Sequence, residues 1–470
     1  MIQIQDKNAE NQVYFPKSTN IDGDLVLKLH SELTQKDYTF DVVNESKTSN
    51  YYKFNVNFKS VENGEYTYFI NDTDSGLIRI GNVDEAVSTS TYIDGIEVVQ
   101  YYPQDVKEID YSKEPLTFKI LSYGTINWTA SNTGITKTIE YKVNGGKWTS
   151  ITSNTGETAP TINVAEGDKI QFRGDNAQYA TDTSNYNSFS GSTALFKAEG
   201  NIMSLIYGDD FKNKLTINNY AFAGLFTRCV NLVSTENLIL PATTLAEWCY
   251  YRMFQNCESL VTVPVLPSTT LASYCYSYMF YGCKSLTTAP ILPATTLATQ
   301  CYSGMFGGCT SLTTAPSLPA TTLAQSCYQS MFYRCTSLTT APELPVTDLV
   351  NSCYKQMFQG CTSLTTVPEL PATTLAIYCY YGMFRDCTSL TTAPELPANR
   401  LENSCYKQMF KGCISLNYIK CLATDISASD CTFVWVTDVA ETGTFVKKQG
   451  ITWAEGISGI PTGWTIENNI

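Results

Sequence analysis

The sequence predicts a mainly β protein with two N-terminal β-sandwich domains followed by a solenoid of 26-residue coils. Two columns of cysteines recur at a step of 26 residues between Cys229 and Cys431. Short hydrophobic stretches separated by turn residues fill the part before them, which holds none of the 17 cysteines. A fixed period of this size is typical of a solenoid, because each unit is too small to bury its own apolar side.

The first predicted domain covers residues 1–81. Alternating stretches at 25–29, 52–58, 66–70 and 77–80 are separated by Asn-Gly and Asp-Ser-Gly sequences. Strands at this spacing with turn signals between them favour an all-β sandwich. Residues 82–112, which contain Tyr101-Tyr102-Pro103, are predicted to be a connector.

Residues 113–200 are predicted to form a second sandwich, of the immunoglobulin-like or fibronectin-like class. Residues 139–143 alternate, and Asn144-Gly145-Gly146 is a strong hairpin turn. Residues 162–164 and 169–172 are predicted to form another hairpin through Glu166-Gly167-Asp168. Residues 201–228 and 432–470 are expected to cap the solenoid, since its terminal units must cover exposed core.

The solenoid proper is predicted for residues 229–431, and the coil that begins at Cys301 shows its pattern. Cys301, Met305 and Cys309 recur at i, i+4 and i+8, which predicts one face of a short helix ending near Gly308. The Thr-rich residues 311–315, stopped by Pro316, and residues 321–323 are predicted to be short strands. Three side chains are expected to point inward: Leu312, Leu318 and Leu323.

The cysteines occupy core positions of the repeat, so we expect reduced, structural side chains. Disulfides between adjacent coils are the alternative, because neighbouring strands lie within bridging range. The i, i+8 spacing disfavours zinc, which prefers ligands two to four residues apart.

The repeat resembles a known family. The pattern MF-x-G-C-T-S-L…P…L-P…L, over about residues 201–470, is similar to the BspA-type leucine-rich repeat of surface proteins from Bacteroidota. This resemblance implies a leucine-rich-repeat α/β solenoid. The strand layout of residues 1–81 is similar to the N-terminal attachment domains of tailed-phage fibre and baseplate proteins, in particular those of crAss-like bacteriophages of Bacteroidota.

Charge and hydropathy exclude some classes of partner. With 31 Lys and Arg against 44 Asp and Glu, the net charge is −13, which disfavours nucleic acid. No apolar stretch is long enough to span a bilayer, so no membrane insertion is expected. The first residues have neither a basic nor an apolar run, so we expect no secretory leader.

No catalytic, cofactor or metal residue is predicted. His30 is the only histidine, so no Ser or Cys can be paired with a nearby histidine base. Phosphate-binding and calcium-binding loops are missing, whereas a carboxylate pair for glycoside cleavage remains open. Arg173-Gly174-Asp175 is interpreted as a hairpin turn rather than as an adhesion tripeptide.

The coils differ from one another mainly at predicted helix positions that face water. Tyr, Trp and Arg anchor many protein interfaces, and the alternative is that these side chains only solubilise a helix. A uniform Thr column (Thr287, Thr313, Thr339, Thr365, Thr391) and the acidic column Glu343, Glu369, Glu395 mark the opposite surface. The predicted exposed binding face comprises Trp248, Tyr251, Arg252, Tyr274, Tyr278, Tyr281, Tyr333, Arg334, Tyr378, Tyr381 and Arg385.

Together with the resemblances, these observations favour a non-enzymatic virion protein. We expect a phage head fibre, or else a tail fibre, whose N-terminal domain docks on other virion proteins. Its repeats would bind a glycan or protein on the host surface, and the chain would form a homo-oligomer. The alternative is a BspA-like adhesin on the bacterial cell surface. A glycan hydrolase is the third class.

Overall fold

The computed structural model describes residues 109–156 and 159–469 throughout, and of residues 1–108 the β-strands alone. The chain divides into two compact units, Met1–Ile109 and Asp110–Ile470. The described residues are mainly β, with few helices: α1 (Ser204–Tyr207) and short 3₁₀ turns at Tyr111–Lys113, Thr133–Ile135 and Gly208–Asn213.

The first unit contains a five-stranded sheet and two two-stranded ribbons. Its strands are β1 (Ile2–Ile4), β2 (Glu10–Pro16), β3 (Asp24–Ser31), β4 (Lys36–Val43), β5 (Tyr51–Asn57), β6 (Gly64–Ile70), β7 (Asp74–Ile80), β8 (Ala86–Ile93) and β9 (Ile96–Pro103). The sheet order is β1-β7-β6-β3-β4, and β2 pairs with β5 and β8 with β9. The segment predicted as a connector therefore holds a β-hairpin. His30 on β3 is hydrogen-bonded to Asp37 on β4 at 2.6 Å, a cross-strand structural contact.

The second unit begins with a β domain (residues 117–201), which contributes five strands to a seven-stranded sheet. Its strands are β10 (Thr117–Ile120), β11 (Gly124–Asn127), β12 (Thr129–Ala130), β13 (Thr138–Val143), β14 (Thr149–Thr152), β15 (Thr161–Val164), β16 (Lys169–Arg173), β17 (Asn187–Ser188) and β18 (Phe196–Asn201). The predicted turn joins β13 to β14, with φ of 50° at Asn144 and 75° at Gly145. The predicted hairpin of residues 162–164 with 169–172 is wrong. β15 pairs with β11 and β16 with β10 and β13, so the Gly167 turn crosses between sheets.

The β domain and the repeats share one core. Strand β18 pairs in parallel with β19 (Leu232–Ser234) and β20 (Leu238–Ile239), which belong to the first repeats. The ring centroids of Phe118 and Phe189 in the β domain lie 5.9 and 5.6 Å from that of Phe226. The seven-stranded sheet thus continues from the β domain into the repeat region.

The helix predicted in each coil is wrong: a series of tight turns takes its place. The N–H of Met305 donates to the Tyr302 carbonyl, three residues back, whereas the N–H groups of Tyr302 and Phe306 donate to the next coil. Backbone φ is positive at every fourth residue, at 61° for Gly304 and 73° for Gly308. Turns with positive φ at their third residue are of the type II pattern. The turn pattern recurs every four residues. Cys301, Met305 and Cys309 therefore lie on the same, buried side of the coil.

Extended segments complete each coil. Where the sequence predicts short strands, isolated single-residue bridges join neighbouring coils instead. Thr288, Thr314, Thr340 and Thr366 are joined by parallel bridges. The predicted inward side chains are confirmed: Leu312, Leu318 and Leu323 are buried. At the C-terminal end, β21 (Tyr418–Cys421), β22 (Thr444–Lys448) and β23 (Thr465–Asn469) form a parallel sheet.

Ladders of identical side chains join the coils in the core. Phe332 stacks between Phe306 and Phe358, with ring centroids 5.8 and 5.6 Å away. The Cys309 thiol donates to the Phe280 carbonyl of the preceding coil at 3.1 Å, and equivalent contacts recur from Cys257 to Cys413. All 17 cysteines are free and buried. Each coil is therefore held by its neighbours through rings, thiols and backbone.

Candidate functional site

The turn segments alternate two inward and two outward residues. In the coil that begins at Cys327, residues 327, 328, 331, 332 and 335 are buried, whereas 329, 330, 333 and 334 are more exposed. We call the outward side the turn face, meaning the positions that align with residues 300, 303, 304, 307 and 308 at steps of 26, or of 28 for the first coil, which precedes residue 248. All eleven residues of the predicted binding face lie on it, although on turns rather than on helices.

Most of these eleven side chains are less exposed than predicted. Tyr378, at 42% exposure, and Arg334 are exposed, Tyr251 is buried at 6%, and the others are half-buried. The rings lie over glycines of the next coil. A Cβ on Gly304 would overlap the Tyr278 ring, and one on Gly307 would lie 2.7 Å from the Tyr281 ring.

At the N-terminal end of the turn face, stacked rings connect successive coils. The Trp248 ring lies between those of Tyr220 and Tyr274, with centroids 5.8 and 3.7 Å away and interplanar angles of 8° on both sides. Both faces of the indole are thus covered, and only its edge is open to a ligand. Tyr220 was not among the predicted residues; it belongs to the coil before the first regular repeat.

A second layer of rings lies beside this stack. Tyr251 meets Trp248 and Tyr278 edge to face, and the Arg252 guanidinium lies 4.7 Å from the Tyr251 centroid. Burial raises the pKa of Tyr251, so its hydroxyl stays neutral. The Nε of Arg252 is buried and has no hydrogen-bond partner among the described residues.

This end also borders an enclosed cleft between a loop of the β domain and the first coils. Arg228, Arg252 and Gln255 line it from the repeats, and Asp182 and Tyr186 from the loop. The Asp182 carboxylate accepts hydrogen bonds from its own loop, which lower its pKa. The two arginines are therefore the groups of this cleft available to an anion.

The C-terminal part of the turn face is more open. Tyr378 and Tyr381 meet at 5.9 Å, and Lys355 Nζ lies within 5.8 Å of both ring centroids. Arg385 Nη1 and the Tyr381 hydroxyl both contact Gln408 Oε1, at 3.0 and 3.2 Å. Three further cations lie here that were not among the predicted residues, although their columns in the repeat identify them: Lys355, Lys407 and Lys411.

The other surfaces of the repeat are uniform. The predicted Thr column is exposed, as are Glu343, Glu369 and Glu395. Lys420 pairs with Glu395 at 2.9 Å across adjacent coils. Because each coil offers the same groups there, no position of the Thr column stands out as a site.

Arg173 and the cysteine thiols, which could serve adhesion or catalysis, take part in contacts within the fold. Arg173 ends β16, and its guanidinium pairs with Glu140 and Asp209. Burial raises the pKa of the Cys309 and Cys361 thiols to about 12, which makes them poor nucleophiles. Among the described residues, no group of three or more His, Cys, Asp or Glu could hold a metal. No helix in that part combines the length and apolarity needed to cross a membrane.

A stack of coils with a Leu-lined core and inter-coil backbone bonds defines a leucine-rich-repeat protein. A sequence profile of the BspA type leucine rich repeat region matches residues 194–365 and 303–437, with six copies. The chain belongs to the BspA-type leucine-rich-repeat family, a non-catalytic repeat fold consistent with a surface or binding protein. Comparisons with curated proteins and with solved structures gave no match.

Proposed function

We propose that this chain is a non-enzymatic binding protein whose repeats form a solenoid and hold a host-surface glycan or protein on the turn face. One observation carries the proposal. The inward columns repeat the same residues in coil after coil, whereas the turn face changes. The column of residue 303 reads Tyr251, Ser277, Ser303, Gln329, Lys355, Tyr381, Lys407. A surface free to vary over a constant core is what recognition by a solenoid requires.

We place the protein in a virion, as a homo-oligomeric head fibre, or else a tail fibre, whose N-terminal unit docks on other virion proteins. The support is the likeness of the N-terminal strand layout to phage attachment domains. The second candidate is a cell-surface adhesin of bacteria, and membership of the BspA-type family favours it. Mass spectrometry separates the two: the chain should be found in purified particles for the first and in outer-membrane fractions for the second.

Binding through the turn face can be tested with the purified full chain on a panel of Bacteroidota cells. Arg334→Ser with Tyr378→Ser changes two exposed side chains of this face. Because exposed anchors of this kind dominate many interfaces, adsorption should fall by about tenfold or more. The matched control is Thr339→Ser with Thr365→Ser, two exposed changes on the Thr column, which should leave adsorption unchanged. Equal loss in both pairs, or loss in the control alone, would rule out the turn face.

A further inference from the structure

Charges are segregated around the repeat. Turn-face cations are Arg228, Arg252, Arg334, Lys355, Arg385, Lys407 and Lys411. Up to residue 438, the turn face holds three acids, Asp386, Asp430 and Asp438, and Glu247 lies at its border. Acids elsewhere in the repeats are Glu236, Glu258, Glu343, Asp348, Glu369, Glu395, Glu402 and Asp425. A chain with a net charge of −13 thus carries a net positive strip.

Most cations of this strip form no ion pair with another described residue. Off the turn face, Lys284 pairs with Glu258 at 2.8 Å and Lys420 with Glu395 at 2.9 Å, so this stack can pair opposite charges between coils. On the turn face, Lys407 pairs with Asp430, and Arg385 lies 3.4 Å from an Asp386 oxygen. No ion pair with a described residue is made by Arg228, Arg252, Arg334, Lys355 or Lys411. These cations are available to an external anion.

The spacing of the cations suits an extended ligand. Arg334, Lys355, Arg385 and Lys411 lie in four consecutive coils, one in each. Coils joined by parallel backbone bonds are about 4.8 Å apart, so the four cations extend over about 14 Å along the stack. A linear polymer with an anionic group at regular intervals matches this row.

Aromatic side chains lie among these cations. Arg334 lies over the Tyr333 ring at 5.2 Å, and Lys355 over Tyr378 and Tyr381. An aromatic face packs against the C–H face of a sugar ring, and Arg and Lys bind carboxylate or sulfate oxygens. Charge alone would suit any polyanion, and the rings favour a carbohydrate.

We propose that the C-terminal part of the turn face binds an acidic polysaccharide, one that bears carboxylates or sulfates, with its chain along the stack. This inference rests on the proposed function and names the ligand class. The carboxylates or sulfates meet the row of cations, and the sugar rings pack beside Tyr378 and Tyr381.

Calorimetry on the full chain tests this with three probes: alginate, a polymer of uronic acids; neutral dextran of matched length; and single-stranded DNA of matched charge. Alginate should bind at least about tenfold more tightly than either other probe. Binding should weaken as NaCl rises from about 0.1 to 1 M, since the Debye length falls from about 10 to 3 Å. Equal binding of dextran or of DNA would overturn the proposal.

Charge variants locate the site. Arg334→Glu, Lys355→Glu and Lys411→Glu together should reduce alginate affinity at least about tenfold, because all three cations contact the polymer. The control, Lys284→Glu, Arg400→Glu and Lys420→Glu, makes the same change in net charge off the turn face and should stay within about twofold. Thermal melting checks folding, and the corresponding Gln variants replace any Glu set that fails to fold. Equal effects of the two sets would refute the site.

Adsorption to host cells, measured in parallel, separates this inference from the proposed function. Suppose that the wild type does not bind alginate and that the turn-face Glu variant still adsorbs to cells. This result would overturn the acidic ligand, whereas the proposal of a host-binding protein would stand. A chain that binds alginate but no cell of the panel would refute host binding, while the acidic ligand would stand.

Discussion

Replacing Gly304 with Ala tests how the aromatic side chains of the turn face are held. Gly304 has a φ of +61°, and an added Cβ would overlap the Tyr278 ring of the preceding coil. Gly308, four residues on, has a φ of +73°, and the nearest atom to its added Cβ is 3.5 Å away. The two substitutions are chemically identical and share the backbone strain, so they differ only in the clash.

The expected losses of stability follow from the backbone strain at both glycines and from the clash at Gly304. Gly308→Ala should lower the free energy of unfolding by about 1–2 kcal/mol, the cost of a Cβ in the left-handed region. Gly304→Ala should cost about 1–3 kcal/mol more, because overpacking must displace the Tyr278 ring. Urea unfolding followed by circular dichroism measures both values.

A double-mutant cycle completes the test. Ser occupies the column of Tyr278 at position 330, also with positive φ, so Tyr278→Ser should fold with this backbone. Combined with Gly304→Ala, it should recover most of the additional loss, whereas with Gly308→Ala the two effects should add. Equal costs at the two glycines, or no recovery, would show that Tyr278 does not lie over Gly304.

Three further perturbations probe the coils. Phe332→Ala should cost about 3–5 kcal/mol, with faster hydrogen exchange in the adjoining coils, whereas exposed Thr339→Ala should stay within about 0.5 kcal/mol; comparable costs would contradict the Phe ladder. Burial raises the pKa of the Cys309 and Cys361 thiols from 9.0 to about 12. The unfolded chain therefore loses these protons first, so the stability that these thiols contribute should be constant below about pH 9 and decline towards pH 12; a thermal-melting series that is flat from pH 9 to pH 12 would refute it. Val434 is β-branched with a φ of 49°, so Val434→Asn should raise stability by about 1 kcal/mol, and a lower melting temperature would disagree.

The period and the inward residues could be predicted because both follow from spacing alone. The turn segment could not, since inward residues at i, i+1, i+4 and i+5 fit both a helix and a repeating four-residue turn. Gly304 was the overlooked signal, since Gly308 also suits a helix end. A helix interior tolerates Gly304 poorly, at about 1 kcal/mol, whereas a turn with positive φ favours it.

Side-chain exposure on the turn face depends on residues 26 positions away. Tyr281 is half-buried because Gly307 follows it in its column, whereas Tyr378 is more exposed. The columns can be read from the sequence, but a helical interpretation places different neighbours around each ring. The partner of β15 was unpredictable for a related reason: the turn at Gly167 is local, whereas the choice between sheets depends on distant strands.

The constant offset of the backbone bonds has a genetic consequence. Each turn segment donates to the next with a step of 25 residues, for example from Tyr302 to Cys327 and from Tyr328 to Cys353. Recombination between near-identical repeats that removes or duplicates a whole unit would rejoin surfaces that already match. Descendants of this gene can therefore change the length of the stack in whole coils, and with it the number of cations in the row, while both ends keep their present contacts.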